Sequence, residues 1–203
     1  MSSSFDTPPQ FVLASRSPRR VQFLQQAGFV FLTDPADVPE QPGAHEPAAD
    51  YALRVAFAKA QAAAVRHPAL AVLGADTDVV LQGRILGKPG DDAEAAAMLG
   101  ALSGATHEVV SAVALVQGER RASIVTVTRI EFVRLSRADI ADYVASGEPR
   151  GKAGAYGIQG RAARFVRNVQ GSYTGVVGLP MAETCELLAT FGLRPSSTAT
   201  IAA

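Results

Sequence analysis

The stretch Ala14-Ser15-Arg16-Ser17-Pro18-Arg19-Arg20 sets two arginines in what reads as the first turn of a helix. Ser17 has the residue type of an N-cap and Pro18 that of a first helical position. Val21, Phe23, Leu24 and Ala27 follow at roughly helical spacing, and Gly28 stops the run. Cations at that place oppose the helix macrodipole at about 0.3–1 kcal/mol each. A bound anion reverses the penalty, because the free N–H groups of a helix start and the forked donors of Arg19 and Arg20 then meet on it. The apolar run from Phe11 to Ala14 reads as a buried strand, so that strand, short loop and helix start together form a ready phosphate site. The competing reading leaves both arginines in solvent.

A second constellation is acidic. Asp76 and Asp78 interrupt a run that is otherwise apolar through Leu70, Val72, Leu73, Val79, Val80 and Leu81. A lone carboxylate buried in such a strand costs several kcal/mol, so a metal or a basic partner must compensate it, unless the strand ends at Asp76 in water. Alternation places Asp76 and Asp78 on one side and Thr77 on the other. A site using Asp76 and Thr77 together therefore requires a twist or the strand's end, and Gly74 is the candidate irregularity.

Of the 19 basic residues only Lys59, Lys88 and Lys152 are lysines. Lysine is a compact point charge on a slim stem that reaches a single phosphate oxygen where a planar guanidinium does not fit; three scattered lysines also arise by chance. Lys88 stands between Gly87 and Pro89, in backbone held extended by the proline. Lys59 lies beside Ala56, Phe57 and Ala60 on a helix, and its own surroundings read as a snorkelling side chain. Gln159 sits in the run Gly154-Ala155-Tyr156-Gly157-Ile158-Gln159-Gly160, which lets backbone approach a flat ligand and presents one amide. That donor and acceptor pair suits the edge of uracil or thymine and equally that of adenine, while Tyr156 either stacks or packs.

The elements that must position these groups interleave. Strand 11–15, helix 18–27, a short strand at 29–32, a Pro-rich loop with Asp37 and Glu40, helix 47–66 and strand 70–81 come first. Then follow a Gly-Arg turn, a helix capped by Asp91 and ended by Ser103-Gly104, a hairpin turning at Gln117-Gly118-Glu119, and a helix from Ser136 to Ser146. A glycine-rich loop over 147–160, strands near 164–169 and 173–177, and a last helix opened by Pro180 complete the order. This predicts an α/β fold with a mixed, strongly twisted sheet flanked by helices and two lobes around a cleft. One domain over residues 10–194 is expected, with disordered tails at 1–9 and 195–203.

With 19 basic and 19 acidic side chains the net charge is zero, which argues against a nucleic-acid or acidic-membrane partner and makes any anion site local. Neither a signal peptide nor a membrane span is read, so a cytoplasmic protein is expected. The single Cys185 and the scattered His45, His67 and His107 leave no cysteine or histidine metal cluster.

Taken together, Ala14 to Arg20, Gly74-Ala75-Asp76-Thr77, Gly87-Lys88-Pro89, Leu102-Ser103-Gly104 with Thr106-His107, and Lys152 to Gly160 resemble the Maf family of nucleotide pyrophosphatases, in the family's order and over residues 11–191. The resemblance implies a fold related to inosine triphosphate pyrophosphatases and cleavage of a nucleoside triphosphate to monophosphate and pyrophosphate. It also implies a divalent cation, Mg²⁺ or Mn²⁺, and a homodimer. The segment Lys152 to Gly160 looks like the branch acting on dTTP and UTP. By the same resemblance Asp76 matches the catalytic proton acceptor, with Arg20, Lys59 and Lys88 beside it. Ser15, Arg19, Arg20, Thr77 and Gln159 match substrate-binding positions, and Glu40 with Asp76 matches the metal-holding ones. Pro39, Ala58 and Asp78 depart from the pattern, which commonly has an acid, a glutamate and an apolar residue there. The alternatives are a pyrophosphatase for modified nucleotides and a nucleotide-binding regulator of septum formation.

Overall fold

Phe11–Leu13 forms β1 and Pro18–Gln26 forms α1, followed by β2 at Phe31–Thr33 and the long helix α2 at Ala48–Ala64. The apolar run with its two acids is one uninterrupted strand, β3, over Ala71–Leu81, so the strand does not end at Asp76. A tight turn at Gln82 and Gly83, both with positive φ, reverses the chain into the short strand β4 at Arg84–Leu86, where the sequence pattern predicts only a Gly-Arg turn. Two consecutive left-handed residues are what a two-residue hairpin requires, and glycine supplies one of them without strain. The chain continues through α3 (Asp92–Leu102), the hairpin β5 (Thr106–Gln117) and β6 (Arg120–Phe132), α4 (Arg137–Ala145), β7 (Val166–Gln170), α5 (Tyr173–Val177) and α6 (Met181–Thr190). The structure is a computed structural model and describes residues 8–196. The expected tails fall mostly outside those residues; Ser196, at the described end, donates its backbone N–H to Gly28.

The segment 173–177, expected as a strand from its paired valines, is a short helix instead. Ser172 caps it by accepting from the Gly175 N–H, and Gly178 at φ 135° stops it. A local side-chain cap and a glycine stop override the β preference of Val176 and Val177. Its consequence lies in the last carbonyls, those of Val177 and Gly178, which face α1.

The sheet runs β2-β1-β3-β5-β6-β7, with β1 parallel to its neighbours and the rest antiparallel, so the expected mixed sheet is observed. Alternation along β3 sorts three packing regions. Val72 and Val80 face α2, through Ala56, Ala60 and Ala63. On the other face Leu73 and Ala75 meet Leu24 of α1 and Leu187 and Leu188 of α6, while Val79 meets Leu99 of α3 and Tyr143 of α4. The two lobes of that face part beside Thr77.

His107 anchors the second lobe at 1% exposure, with its Nε2 2.8 Å from the Tyr156 hydroxyl and its ring edge-on to Phe132. Burial holds the imidazole neutral and pushes its pKa down to about 4. The unfolded chain takes up that proton near pH 6.5, so stability from the neutral ring is complete above that value and is lost as the pH falls toward about 4. Urea unfolding should show a loss of about 3 kcal/mol across this window from the one group. His107→Gln should remove that component of the slope; identical pH slopes for the two proteins would contradict it.

Candidate active site

β1 pairs with β3 only at Ala71, Val72 and Leu73, and β4 pairs with the same edge only at Val79, Val80 and Leu81. Between them residues 74–78 have no strand neighbour on that side. A cleft of about 670 Å³ opens at this gap and reaches both faces of β3. Asp76 enters it from the α2 face and Thr77 from the opposite face, so neither a twist nor a strand end is needed. Gly74 plays a different part from the one expected. It keeps regular register with Ala114, and a Cβ there would fall 2.2 Å from the Ala56 carbonyl oxygen and 2.8 Å from the Ala60 nitrogen. Glycine lets α2 lie almost in contact with the strand, which brings Lys59 down onto Asp76.

The start of α1 forms one wall. The Ser17 side chain makes no cap hydrogen bond, so its helix start keeps open N–H groups facing the cleft. Arg20 turns inward to 9% exposure. Its Nε donates to the Gly178 carbonyl (2.8 Å), its Nη1 to Ser15 Oγ (3.1 Å) and the Ala75 carbonyl (2.9 Å), and its Nη2 to Thr77 Oγ1 (3.3 Å). The Ala75 carbonyl belongs to the unpaired edge, and Arg20 satisfies it in place of a strand. Burial lowers the guanidinium pKa, and the Asp76 carboxylate opposes that shift. Arg19 spends only Nε, on the Val177 carbonyl at 3.1 Å, and otherwise faces the cleft. At the mouth Arg16 grips Asp37 with two bonds of 2.7 and 2.9 Å.

The opposite wall is a chain of alternating charge. Lys59 Nζ lies 2.7 Å from Asp76 Oδ1 and 2.7 Å from Glu40 Oε1, and Lys88 Nζ donates to Glu40 Oε2 at 2.9 Å. Lys59 does not snorkel; it is 9% exposed and is the basic partner that the 8% exposed Asp76 requires. Burial pulls the Glu40 carboxyl upward, but the hydrogen bonds from Lys59 and Lys88 outweigh it and hold its pKa at about 2. Asp78 makes no ion pair among the described residues. Burial, reinforced by the Asp76 carboxylate beside it, raises its pKa well above the carboxylate range, and its Oδ2 has no partner.

The third wall is the loop over 147–160. Gln159 is exposed on the cleft, and its amide makes no protein hydrogen bond among the described residues. Tyr156 packs rather than stacks, buried against Phe132 and His107. Sequence reasoning missed Glu148, which organises this loop. Its carboxylate accepts from the Tyr143 hydroxyl (2.8 Å) and from the Arg161 N–H (3.0 Å), and its carbonyl accepts from Lys152 Nζ. A Cβ at Gly160 would fall 2.2 Å from Glu148 Oε1, so that glycine exists to admit the carboxylate. Only the glycines around an isolated acid hinted at this.

Every residue that the resemblance matches to a catalytic, substrate-binding or metal-holding position lines one cleft, contributed by the β1–α1 loop, α1, the β2–α2 loop, α2, β3, the segment after β4 and the 147–160 loop, whereas Asp78 does not line it. Among the described residues no group of three or more His, Cys, Asp or Glu side chains is arranged as a complete metal cage. A family model for Maf-like proteins matches residues 10–191. The chain belongs to the Maf family. Curated relatives include proteins named dTTP/UTP pyrophosphatase. That of Methylobacillus flagellatus is 49% identical over 183 residues, spanning 89% of this chain and 92% of its own. That of Salmonella typhimurium is 53% identical over 180 residues, with 88% and 91% covered. The Symbiobacterium thermophilum protein is 48% identical over 183 residues, with 90% and 94% covered.

In this Maf chain the glycine-rich wall depends on Glu148 for its anchorage. Glu148→Ala should free the loop, and limited trypsin digestion should then cut at Arg150, Lys152 or Arg161 about tenfold faster than in the wild type. Equal cleavage rates would show that the loop is held by other contacts.

Proposed function

We propose that the chain hydrolyses nucleoside triphosphates, dTTP and UTP foremost, between the α and β phosphates to release a monophosphate and pyrophosphate. The observation that carries this reading is the meeting, in one cleft, of six cationic side chains with the buried Asp76 carboxylate on a central strand. A polyphosphate suits a site whose cations outnumber its acids, and the helix start of α1 adds N–H donors. The names of the curated relatives near 50% identity agree with it.

In this reading Asp76 orients the attacking water and takes its proton, with Lys59 fixing the carboxylate against rotation. Arg20 supplies a fixed positive charge whose direction is set by Ser15, Thr77 and two carbonyls, so little reorganisation accompanies the reaction. Arg19, Lys59 and Lys88 counter the charge that spreads over the phosphoryl oxygens. Glu40 and Asp76 both reach the Lys59 ammonium, and their hard oxygen donors fit Mg²⁺ or Mn²⁺. When bound there, the cation would draw electron density from the phosphates. Gln159 would read the donor and acceptor edge of a pyrimidine dione. A homodimeric, cytoplasmic enzyme without a nucleic-acid partner completes the reading, in keeping with the zero net charge and the family resemblance.

Asp76→Asn should lower kcat for pyrophosphate release about a thousandfold while the circular dichroism spectrum is unchanged. Wild-type turnover in that variant would remove the assignment. Gln159→Ala should erode the preference for dTTP and UTP over ATP and GTP about tenfold, read as a ratio of kcat/KM values. A uniform loss across all four nucleotides would instead mark Gln159 as a structural residue.

A further inference from the structure

The chain uses arginine for nearly all its basic positions, yet all three of its lysines line the same cleft. Two of them are committed: Lys59 lies between Asp76 and Glu40, and Lys88 holds the other oxygen of Glu40. Arg16 is committed to Asp37, and Arg20 gives its donors to carbonyls and hydroxyls. Among the cations of the cleft and the described residues, Arg19 and Lys152 are the two that lack a carboxylate within 4 Å and keep most of their donors to spare, whereas Arg20 has spent four of its five. Lys152 spends one N–H on the Glu148 carbonyl, while the Glu148 carboxylate turns away to Tyr143 and Arg161.

We propose that Lys152 is a phosphate-binding residue of this cleft, acting with Arg19 as the pair of cations left uncompensated for a polyphosphate. The loop is shaped for that ammonium. Gly157 leaves its Cβ space to the lysine stem, since a Cβ there would fall 3.0 Å from Lys152 Cε and 3.1 Å from Cδ. The stem is thus confined along the backbone and its head is held over the cleft by the Glu148 carbonyl. Burial, and then the nearby Arg19 charge, lower the Lys152 pKa, and the Glu148 carboxylate offsets them only in part. A polyphosphate placed there relieves the repulsion and uses the remaining donors of both side chains. Lys152 and Gln159 share one short loop, so phosphate engagement and base reading are mechanically joined.

The inference rests on the proposed nucleotide site, and its test is separable from turnover. Calorimetric binding of inorganic tripolyphosphate and, separately, of thymidine is measured on the wild type, Lys152→Met and Lys152→Arg, each checked for an unchanged melting temperature. Lys152→Met should weaken tripolyphosphate at least about tenfold and leave thymidine within about twofold, and Lys152→Arg should recover most of the tripolyphosphate affinity. Unchanged tripolyphosphate affinity in Lys152→Met would overturn the proposal. So would an equal loss for thymidine, which marks a loop-shaping role, or an arginine variant as weak as the methionine one. Failure of the wild type to hydrolyse dTTP would count against the proposed activity while leaving this binding result intact.

Discussion

A carboxylate in the middle of an apolar strand cannot stand alone, and the pairing of Asp76 with Lys59 at 2.7 Å is the interaction on which the cleft depends. Lys59 reaches the strand only because α2 is built of alanines on its inner face and because Gly74 has no side chain. The same ammonium draws in Glu40 from the β2–α2 loop, and Glu40 draws in Lys88 from beyond β4. One compensated charge thus gathers four segments of the chain. Removing Lys59 would leave the buried Asp76 carboxylate without its counter-charge, which is a larger loss than the pair itself contributes, whereas without Asp76 the lysine keeps Glu40.

The opening at the strand edge gives that cluster its reach. β1 is too short to cover residues 74–78 and β4 begins pairing only at Val79, so the Ala75 carbonyl needs another donor and finds Arg20. An arginine that satisfies backbone in this way is at once a structural tie between α1, β3 and the end of α5 and a fixed charge in the cleft. Structural and electrostatic roles are inseparable there. At Arg19 and Lys152 they are not, since most of the donors of those residues are unspent.

Much of this was legible in the residues. The Ser-Pro-Arg-Arg start of α1 carries its own capping and dipole logic, and two acids within an apolar strand announce a compensated site wherever they occur. The length of β3, the caps of α3 and α4 and the long hairpin follow from local patterns as well. The edge gap was not legible, because it arises from how far two short strands, distant in sequence, extend along a third. The burial of Lys59 likewise depends on a partner 17 positions away, and its own alanine and phenylalanine neighbours suggested a snorkelling side chain. Val176 and Val177 pointed to a strand until the Ser172 cap and Gly178 stop prevailed. Glu148 gave almost no signal, since its importance lies in three partners that only the folded loop assembles.

The position of a bound nucleotide relative to Asp76 decides the roles assigned to the cleft. A crystal structure with a deoxyuridine triphosphate analogue, its α–β bridging oxygen replaced by an NH group, measures this directly. The triphosphate should lie between the start of α1 and the lysines of the cleft, with the Asp76 carboxylate facing the α phosphorus and Gln159 on the base edge. A nucleotide bound with its α phosphorus remote from Asp76, or seated outside the cleft at the β3 edge, would contradict it.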